Sequence, residues 1–110
     1  MPRCTPSAAL AIVGANRYAT GVLVAQAFFG APEAIGFASG ISFPDALAGG
    51  THIGLHGGPL ILVAPTSIDP TVRAYLNSIG AGIAGAFAYG GPVAIPPTMI
   101  TALSNALAGA

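Results

Sequence analysis

Residues 34–63, AIGFASGISFPDALAGGTHIGLHGGPLILV, contain two apolar runs separated by a segment that carries helix signals. The runs Ala34–Ala38 and Leu60–Val63 are short and uncharged, which is typical of buried strands. Between them we expect a helix at Pro44–His56, with Ser42 as its N-cap and a proline in its first turn. Strand, helix and strand in this order predict a β-α-β unit with parallel strands.

The same alternation continues on both sides of this unit. Asp69 and Pro70 predict a sharp helix start, because aspartate caps helices and proline fits their first position. The whole chain then predicts an α/β fold in the order β-α-β-α-β-α-β-α, with a four-stranded, mostly parallel sheet flanked by helices. This is a three-layer unit of the flavodoxin-like or toprim-like kind. The remaining strands are at Leu10–Val13 and Ile83–Tyr89. One further helix extends over Tyr18–Phe29, one begins with Asp69 and Pro70 and is capped by Gly80, and the last begins with Pro96 and Pro97.

Length and charge limit the functions that the chain can have. With 110 residues, we expect one domain at residues 10–110, preceded by a flexible segment at 1–9. Only 5% of the residues are charged and the net charge is zero, whereas an average domain is about 25% charged. A chain without a basic patch lacks the positive charges that bind the phosphates of nucleic acid. Its apolar composition also excludes an intrinsically disordered chain.

The apolar composition does not predict a membrane-spanning helix. Such a helix needs about 20 mostly apolar residues, and here the 16 glycines and 10 prolines interrupt every such window. The start of the chain, Arg3 followed by Ser7–Ala15, fits either a signal peptide or a first core strand, so no clear signal peptide is identified. Cys4 is the only cysteine, which excludes a disulfide within the chain.

Two patterns that suggest cofactor or metal chemistry are incomplete. Gly80–Gly85 reads G-x-G-x-x-G, but it follows a predicted helix and precedes a strand, the reverse of the order that a dinucleotide site needs. His52 and His56 are spaced as two zinc ligands on one helix face, but no cysteine or glutamate completes the set. We therefore expect no cofactor and no metal.

Polar side chains gather where the predicted strands end. In open parallel sheets, ligands bind at the carboxyl ends of the strands. A purely structural role is the other interpretation: Ser42 and Asp45 would cap the helix, and Arg17 would form a buried ion pair with Asp45. The residues at this edge are Arg17, Thr20, Ser39, Ser42, Asp45, Thr66 and the pair Gly90 and Gly91.

Four segments, in order, resemble the type 2 cell-wall-binding repeat. Residues 14–20, GANRYAT, match its G-A-D/N-R-Y-x-T opening, and residues 38–48, ASGISFPDALA, resemble its A-S-G-x-x-F-P-D-A-L-A core. Residues 58–62, GPLIL, resemble the strand that follows, and residues 89–94, YGGPVA, resemble the terminal segment. The similarity extends over about residues 10–108.

This resemblance implies a non-catalytic module outside the cell. Such repeats are found on bacterial surface proteins, usually three in tandem around a pseudo-threefold axis, and hold them to anionic, teichoic-acid-like polymers of the cell wall. Carried over by position, Arg17, Thr20 and Asp45 are the polar motif residues. We expect the backbone N–H groups at the helix start to be available to an anion.

A single repeat with three arginines and no lysine is expected to hold a polyanion weakly. Linked weak sites gain avidity, so we expect a homo-oligomer that also covers apolar surface. A homotrimer would imitate the tandem arrangement of three repeats. Two other hypotheses stay open at this point. One is a small flavodoxin-like enzyme with a site around Ser42, His52 and Asp45, and the other is a domain that serves self-assembly only.

Overall fold

Three parallel strands form one sheet in the part of the chain that the computed structural model describes, residues 11–109. The central strand β1 pairs with β2 on one side and with β3 on the other. The fold is therefore α/β, as predicted. In chain order the elements are α1 Arg17–Phe28, β1 Ala34–Ser39, α2 Phe43–Leu55, β2 Leu60–Val63, α3 Pro70–Ile79, a 3₁₀ turn Gly80–Gly82, β3 Gly85–Tyr89 and α4 Pro97–Leu107.

The main core lies on one face of the sheet. Alternate residues of β1 and β2 point to this face, as expected for strands with a two-residue side-chain period. Helices α1, α3 and α4 cover it with their apolar stripes. The core residues are Val22, Ala25, Ile35, Phe37, Ile61, Val63, Val72, Tyr75, Leu76, Ile95, Met99, Leu103 and Ala106.

Helix α2 packs on the opposite face of the sheet, where the β1 residues are small. Ile53 is 1% exposed, and a Cβ added to Gly36 would lie 3.2 Å from the Ile53 Cβ. The same added Cβ would lie 2.7 Å from the ring of Tyr89. Gly36 therefore lets both the helix and this aromatic ring approach the strand closely.

The predicted first strand, Leu10–Val13, is not confirmed. Leu10 lies outside the described residues, as does the segment 1–9 that was predicted to be flexible, and residues 11–14 pair with no strand. The Gly14 N–H donates to Thr20 Oγ1 at 3.0 Å, and Val13 is 76% exposed. The chain thus turns onto the start of α1 at this point. Neither the four-stranded sheet nor a flavodoxin-like topology is confirmed for residues 11–109.

Strand β3 is shorter than predicted and partly exposed. It begins at Gly85, because a 3₁₀ turn extends α3 and the Ala84 N–H donates to the Glu33 carbonyl at 2.7 Å. It lies at an edge of the sheet, and Phe87 in its centre is 38% exposed. The predicted strand Ile83–Tyr89 is therefore confirmed only over Gly85–Tyr89, and an apolar run alone does not distinguish such an edge strand from a central one.

Asp69 connects the starts of two helices. Its carboxylate accepts the Thr71 N–H at 2.9 Å, which confirms the predicted N-cap of α3. It also accepts Asn16 Nδ2 at 2.9 Å, while the Asn16 side chain caps α1 through the Ala19 N–H. The bond from Asn16 is the main cause that lowers the pKa of Asp69 below its ordinary value of 3.8.

This lowered pKa predicts a contribution to acid sensitivity. Because the folded state holds the ionised form of Asp69, its stabilising effect is complete above the unfolded pKa and is lost as the pH falls through the folded pKa. Asp69→Asn keeps a capping side chain but cannot titrate. We expect the unfolding free energy of the variant to fall less steeply than that of the wild type between about pH 5 and pH 2. Urea denaturation at a series of pH values measures this free energy. If it fell equally steeply with pH in the wild type and the variant, Asp69 would not be a source of the acid sensitivity.

Candidate functional site

The carboxyl ends of β1 and β3 frame a cleft at the point where the chain changes direction across the sheet. From β1 the chain runs through α2 to β2 on one side, and from β2 it runs through α3 to β3 on the other. Ligand sites of open α/β sheets lie at such a switch point, outside the carboxyl ends of the strands. The cleft has a volume of about 490 Å³, within the usual range of about 300–1,000 Å³ for ligand sites.

Hydroxyl groups and exposed apolar side chains line this carboxyl-end cleft. Ile41 and Val93 stand at its rim, 71% and 92% exposed. The sequence pointed to three of the lining residues, Ser39, Ser42 and Gly91, but not to the apolar ones. The full lining is Ser39, Ile41, Ser42, Pro65, Gly91, Pro92, Val93 and Ala94.

Ser39 shapes the loop between β1 and α2. It is 3% exposed, and its Oγ accepts the backbone N–H groups of Ile41 at 3.1 Å and Ser42 at 3.4 Å. A short polar side chain at the end of a buried strand can satisfy such loop donors locally. Ser39 therefore positions the rim of the cleft.

Ser42 and Asp45 are in contact, but the Ser42 side chain does not cap α2 as predicted. Ser42 is the N-cap of α2, yet its side chain accepts no backbone N–H of the helix. Its Oγ instead donates to Asp45 Oδ2 at 2.9 Å. The first-turn N–H groups of α2 therefore have no cap from this side chain, which is the arrangement in which a helix start attracts an anion.

The position of Asp45 also explains why residue 90, the first of the pair Gly90 and Gly91, is a glycine. Gly90 has φ +125°, and a Cβ there would lie 2.8 Å from Asp45 Oδ2. Both its backbone conformation and the nearby carboxylate therefore require a residue without a side chain. Gly91 has no neighbour within 4 Å of an added Cβ, so only its place in the cleft lining connects it with the site.

The expected buried ion pair between Arg17 and Asp45 is wrong. Arg17 is exposed, and its Nη1 donates to the Gly40 carbonyl at 2.6 Å. Gly40 lies between two cleft-lining residues, so the guanidinium lies beside the cleft and stabilises its loop. Thr20 has a structural role, because its Oγ1 accepts the Gly14 N–H at 3.0 Å and so fixes the turn before α1.

The hypothetical enzymatic trio of Ser42, His52 and Asp45 is not assembled. Ser42 and Asp45 are at the start of α2, whereas His52 lies ten residues from Ser42, or about 15 Å along a helix. His52 Nδ1 is instead 2.6 Å from the hydroxyl of Tyr89. This partner was not predicted, because it lies on a strand far along the chain from His52.

Within residues 11–109, no group of three or more His, Cys, Asp or Glu side chains could hold a metal ion. No helix in this same part of the chain is long and apolar enough to cross a membrane.

Comparison with known proteins identifies a family for this chain. The family model described as cell wall binding domain 2 (CWB2) matches residues 11–100, a range that contains the cleft and all of the polar residues around it. No curated protein and no solved structure matches the chain. Because the family model matches most of its length, the chain belongs to the cell wall binding domain 2 family.

Proposed function

We propose that this domain is a non-catalytic module that anchors a bacterial surface protein to anionic, teichoic-acid-like polymers of the cell wall. The observation that carries the proposal is the match to a cell-wall-binding family over residues 11–100. A cell-wall ligand follows from the family. The anionic nature of that ligand, the carboxyl-end cleft as its site and a location outside the cell are our additions.

The chemistry of the cleft supports an anionic ligand. Ser42, at its edge, leaves the first-turn N–H groups of α2 without a side-chain cap, and a helix start carries a partial positive charge. Arg17 adds a full positive charge beside the same loop. The carboxylate of Asp45 would repel an anion. The hydrogen bond that it accepts from the Ser42 hydroxyl partly offsets its negative charge.

We also propose that several copies of the chain act together. One cleft with one adjacent arginine supplies few charge contacts, whereas linked sites raise overall affinity about 10²–10⁴-fold. Exposed apolar side chains support a homo-oligomer, because a second copy of the chain could cover them. The large apolar residues that are exposed are Val13, Leu23, Val24, Phe28, Ile41, Leu47, Leu55, Phe87, Val93 and Ile100. A stable monomer at micromolar concentration in size-exclusion chromatography with light scattering would contradict this proposal.

Removing the charge beside the cleft tests the site. We expect Arg17→Ala to weaken binding to purified cell walls about tenfold or more, because a hydrogen bond to a charged group contributes about 1.5–3 kcal/mol. Arg73→Ala removes the same charge from α3, outside the cleft lining, and is the matched control. Co-sedimentation with walls gives the affinities, and far-UV circular dichroism checks that both variants are folded. Equal losses in the two variants would place the site elsewhere.

A further inference from the structure

Four rings form a cluster on the α2 side of the sheet, away from the carboxyl-end cleft. His52 and His56 lie one helical turn apart, with ring centroids 4.7 Å from each other. Phe87 of β3 lies beside both, with its centroid 5.2 Å from that of His52 and 5.7 Å from that of His56. Tyr89 of the same strand contacts His52 through its hydroxyl. The proposed function uses none of these four side chains.

We propose that His52 and His56 bind a divalent transition-metal ion of the zinc or copper class, and that Tyr89 orients His52 for this. Imidazole nitrogen suits these metals. Both histidines are exposed, so an ion can reach them from solvent. Two protein ligands leave the other coordination positions to water or to a group from a partner molecule.

The separation of the two imidazole rings fits a common metal. With a zinc–nitrogen bond of about 2.0–2.1 Å, the centroid of a coordinated imidazole lies roughly 3.2 Å from the metal. Two centroids 4.7 Å apart then subtend an angle of roughly 95° at the ion, near the angles of tetrahedral sites. The separation of the two rings on α2 is therefore compatible with both imidazoles binding one ion.

Tyr89 supplies the second observation that points to a ligand. Metal-binding histidines almost always donate their other ring N–H to an oxygen atom, which fixes the tautomer and the ring orientation. His52 Nδ1 lies 2.6 Å from the Tyr89 hydroxyl, so Nδ1–H can donate to this oxygen while Nε2 keeps its lone pair for the metal. The ring of Phe87 covers one side of the pair and limits the access of water there.

The spacing of the histidines had suggested a metal site in the sequence, but the incomplete ligand set argued against one. The structure adds no third protein ligand, but it places an orienting group for His52 on β3, thirty-seven residues further along the chain. The site lies at the opposite end of α2 from Ser42 and shares no lining residue with the carboxyl-end cleft.

Isothermal titration of the untagged protein with zinc chloride, in a buffer that does not bind metal, tests the proposal. We expect saturable binding of one ion per chain, and His56→Ala should weaken it at least about tenfold. Tyr89→Phe keeps the ring and removes the oxygen, and it should weaken binding about 10–100-fold. In nuclear magnetic resonance spectra, zinc should shift the imidazole signals of both histidines.

A matched control keeps two histidines but changes their geometry. Gly54 is exposed and has open space around an added Cβ, so His56→Ala combined with Gly54→His should fold. Residues 52 and 54 lie about 200° apart around a helix, and we expect this double variant to bind zinc as weakly as His56→Ala alone. Wild-type affinity in either variant, or no saturable binding by the wild type, would overturn the metal site. Wild-type affinity in Tyr89→Phe would overturn the role of Tyr89.

Discussion

Replacing Gly80 with alanine is expected to lower the free energy of unfolding by about 3 kcal/mol or more, because its added Cβ would overlap a backbone group. A Cβ at this position would occupy the place of the Leu107 carbonyl at the end of α4. Backbone cannot move aside as the end of a flexible side chain can. The close approach of α3 and α4 therefore depends on this glycine, and urea denaturation measures the loss.

Gly54→Ala is the matched control for this change. Gly54 lies within α2, and nothing is within 4 Å of an added Cβ, so alanine should raise the unfolding free energy by about 0.5–1 kcal/mol. If Gly80→Ala lowers the unfolding free energy and Gly54→Ala raises it, the packing around each glycine determines the effect of the added methyl group on stability. A Gly80→Ala variant as stable as the wild type would contradict the contact with Leu107. This contact also gives the G-x-G-x-x-G pattern a structural meaning in place of a cofactor-binding one.

Ile53→Ala is expected to lower the unfolding free energy by about 2–5 kcal/mol, the usual range for a buried isoleucine. Ile53 is 1% exposed and fills the space that Gly36 and Gly58 leave under α2. Gly36 and Gly58 have no side chains that could move into the cavity left by the truncation, so the cavity should stay largely unfilled. Amide hydrogen exchange should then increase first in α2, the helix that Ile53 attaches to the sheet.

Leu55→Ala provides the comparison for Ile53. Leu55 lies on the same helix and is 85% exposed, so its truncation should change stability by no more than about 0.5 kcal/mol. If the two variants lost equal stability, the packing of α2 through Ile53 would be wrong.

The elements that were predicted correctly are those with strong local signals. The start of α3 depends on Asp69 as N-cap and on Pro70, and both act within one helical turn. Strand Leu60–Val63 was predicted with its observed bounds, because Pro59 and Pro65 flank an uninterrupted apolar run. These features depend on neighbours in the chain, and such neighbours are visible in the sequence.

The predictions that are unconfirmed or wrong concern contacts between residues that are distant along the chain. Leu10–Val13 has the composition of a strand, but strand formation also needs a partner edge, which composition does not reveal. Arg17 and Asp45 have opposite charges, yet their distance depends on how the loop at Gly40 folds. The family resemblance pointed to the motif residues Arg17, Thr20 and Asp45, whereas Ile41 and Val93 at the rim of the candidate cleft became visible only in the fold.

The most direct test of the proposed function compares two preparations of the same bacterial cell walls, one intact and one from which the anionic polymer has been extracted. The folded protein is sedimented with each preparation at matched peptidoglycan content, with Arg17→Ala measured in parallel. We expect the wild type to bind the intact walls, to lose this binding after extraction, and to bind in a manner that added salt weakens. Equal binding to both preparations, or binding to neither, would contradict anchoring through an anionic wall polymer.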